Sequence, residues 1–168
     1  MISNYEIILR LVLALFLGAL LGIERIRAGK NAGLRTFALV SMGSALFMIV
    51  SELIANRYGL MQSPTIRVDA VRIASGLVEG IGFLGAGMIL FQKDHIANLT
   101  TAAGVWVSAA IGMSVGYGLY LPALTTTLLV VFTFTIMWNI EHKLKIFFGV
   151  KENKDFLKGK EVQRKRVE

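Results

Sequence analysis

Glu79 lies inside an apolar run, Ile73 to Phe91, that is long enough to cross a bilayer. A charged side chain at the centre of a membrane helix costs about 2.5–3.5 kcal/mol on the insertion scale. The carboxylate must therefore face a partner or water, or hold a proton. Intramembrane carboxylates build ion sites and proton relays; a hydrogen bond to a threonine or to backbone is the purely structural alternative. The same run carries Gly76, Gly80, Gly82, Gly85 and Gly87, which remove side-chain area and let a second backbone come close. Gly80 to Gly85 also spells G-x-G-x-x-G, the pattern that cradles a pyrophosphate in dinucleotide-binding folds. That chemistry needs a strand before the motif, an amphipathic helix after it and an acidic residue about 20 positions on. Here the surroundings are apolar and residues 100–107, TTAAGVWV, hold no carboxylate. No cofactor is expected.

The other polar residues narrow the chemistry further. With no cysteine there is no disulfide, thiolate zinc site or cysteine nucleophile, and two histidines, His95 and His142, cannot make a metal site alone. No Ser/His/Asp set, HExxH motif, P-loop or aspartate cluster is present. A non-enzymatic protein is expected, with metal binding left open. Glu52, Arg57, Asp69 and Arg72 gather toward one end of the spans and are candidates to pair there. Glu24 and Arg25 close the first span, and a short loop through Lys30, Gly33 and Arg35 follows. Arg10 and Glu24 share a helix face but lie at opposite ends of it, too far apart to pair. The sequon Asn98-Leu99-Thr100 falls in a predicted cytoplasmic loop, where glycosylation is not expected.

These residues need apolar elements to hold them, and composition supplies them: of 168 residues 55% are hydrophobic and only 17% charged. Ile7–Ile23, Phe37–Leu53 and Ile73–Phe91 read as three spans. Leu99–Ile140 is too long for one helix and reads as two, turning near Gly116, Tyr117 and Gly118, with Pro122 in the first turn of the last helix. The expectation is an all-α polytopic membrane protein with five transmembrane helices. The formal net charge of +7 raises nucleic acid as a partner, but the basic residues flank apolar spans, so none is expected. Arg25, Arg27, Lys30 and Arg35 follow span one, and the tail carries Lys143 through Arg166. The positive-inside rule wants both in the cytoplasm, which five spans allow with the N-terminus outside. The first span is read as an uncleaved helix, because its positive flank follows it. Residues 1–150 form the membrane domain, and 151–168 a short basic cytoplasmic tail. That tail is either solvated or held to anionic lipid by Lys143, Lys145 and Lys151 beside Phe147 and Phe148.

Small residues recur at four-residue spacing: Gly18 and Gly22, Gly76 and Gly80, then Thr100, Gly104, Ser108, Gly112 and Gly116. Such stripes pack helices closely, within one chain, against a second copy, or against another protein. In the third span Arg72, Ser75, Gly76, Glu79, Phe83 and Ala86 share one face, expected to be the interior one.

Four blocks, GALLGIER at 18–25, AGLRTFALV at 32–40, DAVRIASGLVEGIGFLGAGM at 69–88 and LTTAAGVWVSAAIG at 99–112, resemble the membrane domain of the MgtC/SapB family of prokaryotic inner-membrane proteins. The resemblance implies a five-helix membrane domain and the family-typical positions Glu24, Arg25, Arg35, Asp69, Arg72 and the block from Gly80 to Gly87. It also implies adaptation to low magnesium, virulence, and restraint of the rotary ATP synthase through its membrane sector. Gly76 stands where the family pattern has glutamine, Glu79 where it has a small polar residue, and Asn98 where it has glycine. The longer virulence members continue into an ACT-like cytoplasmic domain, and no such domain is expected here. The leading expectation is a membrane regulator that packs against a membrane partner. An oligomeric transporter of magnesium, protons or a small solute, built on Glu79 and Glu24, is the alternative.

Overall fold

The computed structural model describes residues 2–30, 32–59, 70–92 and 95–137, with 140, 143, 144, 147 and 148. The chain divides into two units, residues 1–132 and 133–168.

Among its described residues the first unit is helical apart from one short hairpin. Helix α1 runs Asn4–Arg27, and its N-terminus is capped by the Ser3 hydroxyl, which accepts from the Glu6 amide at 3.2 Å. Gly29, in the left-handed region at φ +64, turns the chain beyond it. Helix α2 spans Leu34–Gly59 and α3 Ala70–Met88. The expected third span continues to Phe91, but the helix ends at Met88. Leu90–Gln92 (β1) and His95–Ala97 (β2) pair antiparallel instead. Asn98 follows in the left-handed region at φ +68, and its side-chain amide donates to the Met88 carbonyl at 3.2 Å. Asparagine is one of the few L-residues that tolerate that backbone. Helices α4 (Leu99–Gly116) and α5 (Tyr120–Phe132) are separated at Tyr117–Gly118, as expected, with Gly118 at φ +73. Pro122 is in the first turn of α5.

The core forms where α1, α2 and α4 meet. Leu17, Leu21, Phe37, Met48, Ile49, Val105, Ile111 and Val115 are buried there with Ala14, Ala45 and Ala109. Large apolar side chains on the other faces, such as Val12, Phe16, Leu39 and Phe47, are exposed. That outward apolar surface is normal for a protein solvated by lipid. Four stretches, Asn4–Arg27, Leu34–Arg57, Leu99–Gly116 and Tyr120–Met137, are long and apolar enough to cross a membrane. In the second unit Thr133–Met137 forms a π-helical turn, and the exposed Phe147 and Phe148 rings meet edge to face at 5.3 Å.

Candidate functional site

The glycine stripes separate into two kinds. On α1 and α4 they are contact surfaces for α2. A Cβ at Gly18 would lie 2.5 Å from the Phe37 carbonyl oxygen, and one at Gly116 2.6 Å from that of Ala45. At Gly22 it would run into the Leu34 backbone, and at Gly112 into the Ser41 carbonyl. Gly104 and Ser108 are buried on the same helix, and the Ser108 hydroxyl donates to the Phe37 carbonyl at 2.9 Å. Helices that touch at backbone leave no width for a solute between them.

The α3 stripe is different. Gly85 alone of its glycines is buried, with Ala102 at 3.9–4.0 Å from its would-be Cβ. Leu77, Val78 and Ile81 line an apolar depression with Trp106, Ala109, Ala110 and Met113 of α4. At Gly76, Gly80, Gly82 and Gly87 a Cβ would meet nothing within 4 Å. Arg72, Ser75, Gly76, Glu79, Phe83 and Ala86, the face expected to be interior, are all exposed, Phe83 at 83%. The helical wheel groups these residues correctly, but the bulk of Leu77 and Ile81 is what turns toward Trp106, Ala109, Ala110 and Met113 of α4. Burial of that apolar area turns the carboxylate face outward. Glu79 has no hydrogen-bond or ion-pair partner among the described residues.

At the end of the bundle where α1 begins, a charged cluster forms around Arg10. Arg10 is 6% exposed and donates to Glu52 Oε2 at 2.9 Å, to the Gly116 carbonyl at 2.8 Å, and to Glu6 one turn earlier. The Tyr120 hydroxyl also interacts with the guanidinium, and Gly118 lies against it. The planar fork suits this role, because several donors reach different acceptors at once. Of the residues expected to pair here, Glu52 goes to Arg10, Arg57 and Arg72 are exposed, and Asp69 lies outside the described residues. The available signal was a lone arginine within the first span, and a carboxylate in the second that the topology puts at the same end.

At the opposite end Arg25 is buried and donates to Glu24 Oε2 through Nε at 2.9 Å and Nη2 at 2.7 Å. Arg35 and Thr100 are exposed, whereas Thr101 is buried. Among the described residues no three His, Cys, Asp or Glu side chains gather as metal ligands.

The MgtC family model matches residues 11–143. A protein of Escherichia coli (strain K12) named putative magnesium transporter YhiD is 49% identical over 118 residues, covering 68% of this chain and 53% of that protein. Protein MgtC of Salmonella typhimurium (strain 14028s) is 41% identical over 126 residues, 75% of this chain and 50% of its own length. Protein SrpB of Synechococcus elongatus is 39% identical over 133 residues, covering 74% of this chain and 70% of that protein. The chain thus spans about half the length of the Escherichia and Salmonella relatives. No solved structure matches it. A family model that covers most of the chain, and relatives at this identity, make this multi-pass membrane protein a member of the MgtC family.

Proposed function

We propose that this chain is a non-enzymatic regulator of the prokaryotic cytoplasmic membrane that acts by docking another membrane protein on the outer face of α3. One observation carries the reading: Gly76, Gly80, Gly82 and Gly87 stand open on a face that also holds Glu79. Glycines that meet nothing among the described residues fit a contact outside the chain, since a bare backbone lets a second helix approach closely. The magnesium-related name of the Escherichia coli relative supports a role in magnesium limitation. The membrane sector of the ATP synthase is the partner toward which the family resemblance points. Five spans, with α3 as the third, an outer N-terminus and a cytoplasmic tail at 151–168, complete this reading.

Gly80→Leu tests it, because an open position accepts leucine without disturbing the fold. The variant should accumulate normally yet fail to restore growth at low magnesium to cells lacking the gene. Full rescue would refute docking through this face.

The printed name of the Escherichia coli relative also favours magnesium transport as a second reading. Because α1, α2 and α4 meet at backbone contact, a transport path would run along α3 and need a second chain as its other wall. Magnesium uptake by reconstituted vesicles, lost in Glu79→Gln, would establish it; vesicles without uptake remove it.

A further inference from the structure

We propose that the occupant of the α3 face is a transmembrane helix of a different protein carrying a basic side chain at the depth of Glu79. The inference rests on the docking reading above and specifies the partner's chemistry.

Glu79 is seven residues from Arg72 and nine from Met88, roughly 10 and 13 Å along the axis. In the five-span reading proposed above, a glutamate that far from either end of α3 is too short to reach the headgroups. It projects from a surface that Gly76, Gly80 and Gly82 leave bare, so a docked helix comes to backbone distance and strips the carboxylate of lipid-borne water. Covered by an apolar helix, the charge would be buried without a partner, the costly arrangement. Covered by a helix with a lysine, arginine or histidine at that level, it becomes an ion pair in a medium of low dielectric, where specificity between helices is strongest.

The counter-charge does not come from a second copy. Copies inserted with the same topology pair through an axis along the membrane normal, which sets Glu79 opposite Glu79. Within the described helices Arg10 is the one basic residue well inside a span, and Glu6, Glu52 and the Gly116 carbonyl already hold it. Arg25, Arg27, Arg35, Arg57 and Arg72 all lie near helix ends.

The test replaces Phe83, one turn beyond Glu79 on the exposed face, with p-benzoylphenylalanine in the full chain and irradiates the host's own membranes. Crosslinked peptides are identified by mass spectrometry. The expected adduct maps to a foreign transmembrane segment with a basic residue inside its apolar stretch. Its yield falls at least about tenfold in Glu79→Gln, and Glu79→Lys regains it when the partner's basic residue is changed to glutamate. An adduct to a segment lacking a basic residue, or one indifferent to Glu79→Gln, overturns the ion pair and leaves docking intact. An adduct to a second copy overturns the foreign partner. No adduct, from a chain that accumulates normally, overturns docking itself.

Discussion

Arg10 and Glu79 both stand within helices, and their surroundings differ in every respect. Arg10 is enclosed, with Glu6, Glu52 and the Gly116 carbonyl as acceptors, so removing it strands a carboxylate and a helix-end carbonyl together. Arg10→Ala should lower stability by about 1–3 kcal/mol, the cost of leaving buried acceptors unsatisfied, because the Glu6 and Glu52 carboxylates keep access to solvent. Chemical unfolding of the detergent-solubilised protein measures this. Arg10→Lys should recover only part of the loss, because an ammonium on a flexible stem lacks the planar fork. Glu79, without a partner among the described residues, predicts the reverse: Glu79→Gln should leave the unfolding midpoint unchanged or raise it. A fall comparable to that of Arg10→Ala would mean that the carboxylate is held within the fold.

The helices show how identical spacing serves different ends. Gly18→Ala and Gly112→Ala each push a methyl group into the backbone of α2 and should cost about 1–3 kcal/mol as overpacking. Gly80→Ala meets open space and should not lower stability in the same unfolding assay; equal losses at all three would refute the division. The positions of α1, α2, α4 and α5 were legible in the sequence because length and apolarity are local properties. So was the turn at Tyr117 and Gly118. The end of α3 was not, since Ile89, Leu90 and Phe91 are as apolar in a hairpin as in a helix. Nor was the side toward which Glu79 turns: the wheel groups residues, but Leu77 and Ile81 choose the neighbour through packing on α4. The Arg10–Glu52 pair depends on the register of α1 against α2 across 42 residues, which no single-helix pattern encodes.

At the scale of the molecule, α1, α2 and α4 form a frame locked at backbone contact, and α3 has one long face that the described residues leave uncovered. The proposed five-span topology can be read directly, because a chain without cysteine accepts single reporters. Ser3→Cys should react with a membrane-impermeant maleimide on intact cells, and Lys30→Cys only after permeabilisation. The opposite pattern would invert the topology. The cluster around Arg10 adds an order in time. When α1 enters the membrane its arginine has only Glu6 nearby; Glu52 follows 42 residues later and the Gly116 carbonyl 106 residues later. Synthesis therefore delivers the acceptors in instalments, and a nascent chain halted between α2 and α4 holds an arginine with an unfinished shell. The first helix should stay associated with the insertion machinery until the fourth has been made.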